Sequence, residues 1–330
     1  MRWVKLLFLA FGFYMLYATI KQVGLENILA NLQNVEWKFI PLLFVYPVIF
    51  ALDTLGWAYS FPKKLPQHIP FYDLYLIRII GETLNALIPG TASLGGEPVK
   101  AQLLKSRHSV PLSDGYASLL IVHTTFWIAL NFFVIGGILV TLKTLPLTPI
   151  LWKSVVAFLV GLGLVALLLI IGLHYGIFQK VHDVGEIFKW WGKDSREKKL
   201  KFLALDGDIK AFYSANRSRF FLSSFFNFLG WFAGTIEVYL IFWMLDRPVS
   251  WTEAWLLEAL IQVLRIVTFF IPSSIGAQEG GIVLIFQQFG FSNSVALTFA
   301  IIRRIREMMW IAVGLLLWSF LLDKPKIKKT

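Results

Sequence analysis

The chain has 330 residues and no cysteine; 57% of its residues are hydrophobic, 15% are charged, and its formal net charge at pH 7 is +11. A soluble domain carries about 25% charged residues, so the composition excludes a soluble globular protein and indicates a polytopic membrane protein without disulfides or thiol chemistry. The positive charge does not require a nucleic-acid partner, because most of it lies in loops beside apolar segments, where the positive-inside rule accounts for it.

Long apolar runs predict six full transmembrane helices, because about 20 residues span the hydrocarbon core. The runs cover residues 3–20, 38–60, 113–141, 150–173, 218–245 and 292–322. The first run is followed by Lys21 rather than by a small-residue cleavage site. It is therefore predicted to be a retained helix and not a signal peptide.

Two further apolar segments, 71–107 and 252–289, are interrupted in the same way. Each interruption contains a Pro, small polar residues, glycines and a Glu, over residues 88–97 in the first and 271–281 in the second. Broken helices at corresponding places in two halves are typical of transporters, where they form the substrate site. Clusters of Pro, Gly and Ser are also common turns, so a chance likeness is the alternative.

The distribution of charge predicts that both broken segments are re-entrant. The loop 174–217 carries nine Lys or Arg residues and the tail after residue 323 carries four Lys, so both are predicted to be cytoplasmic. Re-entrant segments also place the N-terminus, 61–71 and 99–112 inside, and 142–149 and 286–295 outside. Each half then has an odd number of crossings, which inverts the halves. A helix over 72–88 would be about 25 Å long, which leaves full crossing as the alternative.

The predicted fold is an all-α integral membrane protein with about six full transmembrane helices and two re-entrant helical hairpins arranged as an inverted repeat. Residues 1–330 form one polytopic domain, with a first repeat over about 1–145 and a second over about 146–323. The loop 174–217 mixes aromatic and aliphatic residues with charges. This mixture favours cytoplasmic amphipathic helices on the inner leaflet, with a solvated loop as the alternative.

Ionisable residues inside membrane segments cost about 2.5–3.5 kcal/mol each at a helix centre, so their presence indicates a function. Each broken segment contains a triad spaced by four and three residues, which places its members on one helix face: Arg78, Glu82 and Asn85, and Glu258, Gln262 and Arg265. Arg78 can pair with Glu82. Glu82 and Arg265 both lie seven residues before a proline, which leads to the hypothesis that they pair near the midplane.

The helix after each break directs its positive N-terminal end toward the membrane interior, and Pro98 suits the start of the first. That end suits an anionic group such as a lipid phosphate, and the neighbouring glycines allow close approach of the head group. Glu97 and Glu279 occupy the same ends. They are interpreted as helix caps, as protonatable groups that couple transport to protons, or as ligands for a cationic or hydroxylated head group.

The last apolar run contains Arg303, Arg304, Arg306 and Glu307. These side chains either snorkel to outer head groups or form a phosphate-binding vestibule, since the Arg fork matches phosphate oxygens. Asp53 and Glu237 are predicted to pack against polar partners, with a coupling role as the alternative, and His123 is interpreted as a core histidine. Gly230 and Gly234 have the spacing of close helix packing.

The predicted substrate-binding residues come from the two triads, with the exception of Glu258, from the two breaks and from the last apolar run. They are Arg78, Glu82, Asn85, Gly95, Gly96, Glu97, Gln262, Arg265, Gly276, Gln278, Glu279, Arg303, Arg306 and Glu307. The sequence contains no P-loop, zinc-ligand cluster or nucleophile elbow. No catalytic residue, metal or cofactor is therefore predicted.

Three stretches, Asn85–Glu97, 272–281 and Ala296–Gly314, resemble the lysylphosphatidylglycerol synthase transmembrane-region family, also called flippase-like domain proteins. The Gly276–Gly281 motif and the Arg-rich last run look most like its hopanoid-biosynthesis-associated branch. The resemblance covers nearly the whole chain and implies a multi-pass protein of the bacterial inner membrane, with both termini predicted to be cytoplasmic. Where family members often have an acid and an Arg after the first break, this chain has His123, Thr124 and Thr125.

The resemblance implies a membrane lipid transporter that moves or presents a polar-headed, anionic or glycosylated lipid, linked to hopanoid or aminoacyl-phospholipid pathways. The chain stops at Thr330, without the soluble aminoacyltransferase domain of the two-part synthases, so that activity is not carried over and no enzyme is expected. The alternatives are a membrane-embedded head-group transferase and a non-transporting scaffold. The expected partners are membrane lipids and lipid-synthesis enzymes at the inner leaflet.

Overall fold

A computed structural model of the chain describes residues 35–87, 95–141, 195–268 and 276–322, with isolated positions in 26–33, in 153–186 and at Ile271 and Ser274. The described ranges are helical, as predicted. After a short 3-10 turn, Glu36–Lys38, the helices are α1 (Phe39–Tyr59), α2 (Phe71–Leu87), α3 (Glu97–His108), α4 (Leu112–Thr141), α5 (Ser195–Ala215), α6 (Arg217–Met244), α7 (Trp251–Val267), α8 (Ala277–Gln288) and α9 (Asn293–Leu322).

Three helices in the described ranges are long and apolar enough to cross a membrane, namely α1, α4 over Leu112–Val140, and α6. They coincide with the predicted spans 38–60, 113–141 and 218–245, and α9 covers the predicted span 292–322 as one helix. The predicted span 3–20 lies outside the described residues, and 150–173 is described only at isolated positions. The apolar helices indicate a multi-pass integral membrane protein.

Helix lengths recur on the two sides of α5. Helices α2 and α7 have 17 residues each, α3 and α8 have 12 each, and α4 and α9 have 30 each. The contacts are reciprocal, since α2 packs against α9 and α7 packs against α4. Helix α1 packs most extensively against α6 at the centre. The two sets of four helices are thereby interleaved.

Both predicted interruptions separate a 17-residue helix from a 12-residue helix. Helix α2 ends at Leu87 and α3 begins at Glu97, while α7 ends at Val267 and α8 begins at Ala277. Residues 88–94 and most of 269–275, including both prolines of the breaks, lie outside the described residues. Each predicted interruption therefore lies between two described helices, and α2 packs against α3 as α7 packs against α8.

Small residues allow α6 to approach its neighbours closely. A Cβ atom on Gly230 would lie 2.7 Å from Asp53 Oδ1, and one on Gly234 would lie 3.0 Å from Glu258 Oε1. The predicted close packing at these glycines is therefore confirmed, and it places α6 directly against buried carboxylates of α1 and α7. Hydroxyl contacts reinforce the centre, because Ser223 Oγ lies 2.8 Å from Ser60 Oγ and 2.7 Å from Thr125 Oγ1.

Helix α5 docks on the start of α4 through one apolar face. Ile209 and Phe212 are fully buried and form a cluster with Ala117 and Ile121 of α4. The exposed residues of α5 lie on the other side, so its amphipathic character is confirmed. The alternative of a solvated loop is wrong for 195–215, because burial of this face holds the helix against the membrane helices. Its location on the inner leaflet stays a prediction.

Candidate functional site

A first group of charged side chains joins α1, α2, α3 and α4. This group, termed the first cluster, consists of Asp53, Arg78, Glu82, Asn85, Glu97, Lys100 and His123. Arg78 Nε lies 3.2 Å from Glu82 Oε1, and Arg78 Nη2 lies 3.2 Å from Asp53 Oδ2. The predicted Arg78–Glu82 pair and the predicted polar partner of Asp53 are therefore both confirmed.

Lys100 lies at the centre of the first cluster with 1% of its side chain exposed. Its Nζ atom lies 2.7 Å from Glu82 Oε1 and 2.7 Å from Glu97 Oε1. Gly81 makes room for it, since a Cβ there would lie 2.0 Å from Lys100 Cε. Lys100 belongs to the flank 99–112, whose cytoplasmic location stays a prediction, and burial of its side chain was not predicted. Its position three residues after Glu97 was the sequence feature that could have predicted their contact.

Asn85 connects the end of α2 to the start of α3. Its Oδ1 atom accepts a hydrogen bond from Gly96 N at 2.7 Å, and its Nδ2 donates to Glu82 Oε2 and Glu97 Oε1, each at 3.2 Å. Gly96 is required here, because a Cβ would lie 2.0 Å from the carbonyl oxygen of Gly81. Asn85, and not Glu97, therefore satisfies the backbone N–H before α3, while Gly95 is half-buried beside it.

His123 faces the carboxylate at the first position of α3. Its Nε2 atom lies 3.4 Å from Glu97 Oε1, and 28% of its side chain is exposed. The interpretation of His123 as a core histidine is wrong, because the break turns α3 back so that Glu97 meets α4. The second carboxylate oxygen, Glu97 Oε2, is buried and has no hydrogen-bond partner in the described ranges.

A second group of charged side chains joins α6, α7, α8 and α9. This group, termed the second cluster, consists of Glu237, Glu258, Gln262, Arg265, Gln278, Glu279, Arg303, Arg304, Arg306 and Glu307. Arg303 Nη1 lies 3.0 Å from Glu258 Oε2, and Arg303 Nη2 lies 3.3 Å from Glu237 Oε2. Gln262 donates a short hydrogen bond to Glu258. Glu237 therefore has the polar partner that was predicted for it.

Arg304 forms an ion pair with Glu279 in the first turn of α8, directly after the second break. Arg304 Nη2 lies 2.8 Å from Glu279 Oε1, and Arg304 Nη1 lies 2.9 Å from Glu307 Oε2. Glu279 Oε2 accepts from Gly276 N at 2.6 Å, which confirms Glu279 as a helix cap. The φ of Gly276 is +77°, a left-handed conformation that favours glycine. Arg304 was not among the predicted substrate-binding residues, although it stands within the predicted Arg cluster.

Arg306 is buried between α1 and α6. Its Nη2 atom lies 2.7 Å from Glu237 Oε1, and its guanidinium carbon lies 3.7 Å from the centre of the Tyr46 ring. Its Nε and Nη1 atoms are buried without a hydrogen-bond partner among the described residues. Arg303 and Arg306 are 5% and 3% exposed, so snorkelling is wrong for both. Tyr46 was not predicted to be a site residue, since no local sequence pattern connects it to α9.

Arginines of the second cluster line a polar cleft. The cleft has a volume of about 360 Å³, which includes space at its open side. Its lining residues are Tyr46, Arg265, Gln278, Glu279, Ile282, Ala300, Arg303, Arg304, Arg306 and Glu307. Most of the predicted residues of the second half therefore meet at one place, with Arg265 exposed at its edge.

The hypothesis that Glu82 pairs with Arg265 is wrong. Glu82 lies within 3.2 Å of Arg78 and 2.7 Å of Lys100 in the first cluster, whereas Arg265 belongs to the cleft of the second cluster. Lys100 reaches Glu82 because α3 folds back along α2, which the distance from the proline could not show. Among the described residues, no group of three or more His, Cys, Asp or Glu side chains could hold a metal ion.

Two equivalent contacts relate the clusters. In each, a carboxylate in the first turn of a 12-residue helix meets a side chain of the following 30-residue helix: Glu97 meets His123, and Glu279 meets Arg304. His123 is 11 residues after Leu112, the first residue of α4, and Arg304 is 11 residues after Asn293, the first residue of α9. A titratable imidazole thus takes the place of a permanent cation.

Comparison with known proteins identifies one matching family model. It is described as Lysylphosphatidylglycerol synthase TM region, and it matches residues 2–315. The matched region includes every residue of both clusters. No curated protein and no solved structure matches the chain.

Proposed function

The chain belongs to the lysylphosphatidylglycerol synthase TM region family, and from this premise we propose that it is a lipid transporter. It moves or presents a lipid with a polar head group, anionic or glycosylated, between the leaflets of the membrane. The family supports a lipid-related function, and the apolar helices support a multi-pass membrane protein. No aminoacyl transfer is part of the proposal.

Arg306 carries the proposal. A buried polar group without a partner costs about 1–3 kcal/mol, and Arg306 has two such nitrogens, Nε and Nη1. A phosphate or carboxylate can accept hydrogen bonds from two guanidinium nitrogens at once. An anionic head group that enters the cleft would therefore offset the cost that this protein bears in its absence.

The surrounding charges favour one anionic group at the cleft. Arg303 is held by Glu237 and Glu258, and Arg304 is held by Glu279 and Glu307. Arg265 lines the same cleft, is exposed, and forms no ion pair within the described part of the chain. Arg265 and the unused donors of Arg306 are therefore available to a ligand, while the paired arginines hold the walls in place.

The recurring helix lengths support an inverted repeat. If both breaks are re-entrant, the basic loop and the termini lie in the cytoplasm, and the two clusters face the bilayer midplane from opposite leaflets. We place the protein in the bacterial inner membrane, with both termini inside. We link its lipid to hopanoid or aminoacyl-phospholipid pathways, with lipid-synthesis enzymes at the inner leaflet as partners.

Lipid exchange in liposomes tests the proposal. The purified protein is reconstituted with fluorescently labelled phosphatidylglycerol, and dithionite bleaching reports how fast inner-leaflet lipid reaches the outside. We expect faster exchange than in empty liposomes, and a loss of about tenfold or more in Arg306→Gln, since a bidentate ion pair contributes about 1.5–3 kcal/mol. Arg247→Gln is the matched control, because Arg247 is exposed on the connection before α7.

Other outcomes identify the alternatives. Covalent change of the labelled lipid would favour a head-group transferase. Absence of exchange for phosphatidylglycerol and for a glycosylated lipid, in wild type and in Arg306→Gln alike, would overturn the transport proposal and favour a scaffold. Lipidomics of a deletion strain then identifies the lipid class, because the transported lipid or its product changes in amount.

A further inference from the structure

The first cluster contains more carboxylates than permanent cations. Within the described ranges, Asp53, Glu82 and Glu97 form ion pairs with two permanent cations, Arg78 and Lys100. The second cluster has four carboxylates, Glu237, Glu258, Glu279 and Glu307, and four arginines, of which Arg303, Arg304 and Arg306 are ion-paired and Arg265 lines the cleft. An uncompensated charge buried in a membrane protein is costly. The first cluster therefore lacks one positive charge.

Comparison of the two clusters identifies the position of the missing charge. In the second half Arg304 contacts Glu279 at 2.8 Å, whereas in the first half His123 contacts Glu97 at 3.4 Å. The contact in the first half is longer. Glu97 Oε2 is buried without a hydrogen-bond partner among the described residues, and the Glu97 side chain is only 9% exposed. Histidine is the side chain that ordinarily changes its charge near neutral pH. One proton on its ring would complete the cluster.

We infer that Glu97 and His123 form a proton-binding site, and that its protonation completes the ion pair that Arg304 and Glu279 hold permanently. The proton comes from water and binds a ring nitrogen of His123, so that both ring nitrogens carry hydrogen and Nε2–H faces Glu97. Glu97 stays ionised beside Lys100. The proton returns to water when the site opens. This inference deepens the proposed function, because it identifies the coupling ion of lipid transport.

Charged and titratable groups surround His123 from several helices. Helix α3 contributes Glu97 and Lys100, and α2 and α1 contribute Glu82, Arg78 and Asp53 behind them. Helix α6 presents the neutral Asn227, which donates to Thr125; its Glu237, like Glu258 of α7, is held by Arg303. From α5, Tyr213 lies nearby; burial raises its pKa to about 12, so it stays neutral. Among the described residues, His123 is therefore the imidazole that faces Glu97, with 3.4 Å between its Nε2 and Glu97 Oε1.

Nuclear magnetic resonance of the full-length protein in nanodiscs tests the site directly. The chain is labelled with 15N-histidine, and the signal that disappears in His123→Asn identifies the ring. Measured from about pH 5 to about pH 8, this signal is expected to change as the ring gains a proton. The change is expected at lower pH in Glu97→Gln, because the carboxylate no longer stabilises the imidazolium. His68→Asn, at an exposed position, is the matched control.

A ring signal that does not change over this pH range would overturn the proton site. The same pH dependence of the signal in wild type and in Glu97→Gln would also overturn it. Because neither measurement depends on lipid exchange, the site is decided even when no transport occurs.

Lipid exchange tests the coupling. In wild-type proteoliposomes we expect exchange of labelled phosphatidylglycerol to rise about tenfold from pH 8 to pH 5.5, following protonation of an imidazole. His123→Arg carries the charge permanently and is expected to exchange at the same rate at both pH values, with His123→Asn slow at both. Retention of the wild-type pH dependence in His123→Arg would overturn the coupling. Absence of exchange in all variants overturns the proposed function, whereas the ring titration still decides the proton site.

Discussion

Lys100 Nζ lies 2.7 Å from Glu97 Oε1, and the Lys100 side chain is almost completely buried. The same ammonium lies 2.7 Å from Glu82 Oε1, so one cation contacts carboxylates from two helices. It thereby joins the end of α2 to the start of α3 across the first break. Removal of one partner from such a buried network leaves an uncompensated charge.

Lys100→Met should therefore strongly destabilise the protein. We expect a loss of about 3–5 kcal/mol, the typical cost of breaking a buried ion pair, measured as a lower Tm in detergent. Lys105→Met is the matched control on the same helix, because Lys105 is exposed. Addition of Glu97→Gln to Lys100→Met should recover part of the loss, since it removes one unpaired charge. A Tm equal to that of the control would contradict the role of Lys100.

Gly230→Ala should also destabilise the protein. The new Cβ would lie 2.7 Å from Asp53 Oδ1, and Asp53 is held by Arg78 and cannot move freely. Overpacking of this kind costs about 1–3 kcal/mol, more than the helix propensity gained by alanine. Gly207→Ala on α5, where a Cβ would meet nothing within 4 Å, should leave Tm unchanged or raise it. If both variants have the same Tm, the close approach of α1 and α6 is not formed.

Tyr46 should support the function of Arg306. A desolvated cation–π contact contributes about 2 kcal/mol, and the Tyr46 ring lies under the guanidinium of Arg306. Tyr46→Leu is expected to lower phosphatidylglycerol exchange about tenfold or more, whereas Tyr46→Phe keeps the ring face and should stay close to wild type. Equal rates in the two variants would show that the ring does not position Arg306.

The inverted repeat predicts that the two breaks open toward opposite sides of the membrane. Because the chain has no cysteine, Lys105→Cys and Gln287→Cys can each be labelled alone, and both positions are exposed. A membrane-impermeant maleimide applied to intact cells should label position 287 and should reach position 105 only after the cells are opened. Labelling of both positions from the same side would exclude the inverted arrangement.

Hydrophobic length was sufficient to predict the long apolar helices α1, α4, α6 and α9. The run 38–60 became α1 at Phe39–Tyr59, and the run 292–322 became α9 at Asn293–Leu322. The two breaks were predicted as well, because each is a cluster of Pro, Gly and small polar residues, and such clusters favour turns. These features depend on neighbours along the chain, and so do the Arg78–Glu82 contact and the cap at Glu279, which join residues four and three positions apart.

The composition of each charged cluster could not be predicted in this way. Lys100 meets Glu82 across 18 residues, and Arg306 meets Tyr46 between the first and last described helices. His123 was interpreted as a core residue, and Arg265 was assigned to Glu82, because charge and spacing do not specify which helices fold against each other. Apolar transfer energy accumulates residue by residue along one segment, whereas an ion pair requires two atoms within about 4 Å. Chain reversal at the breaks and the interleaving of α2 with α9 bring those atoms together.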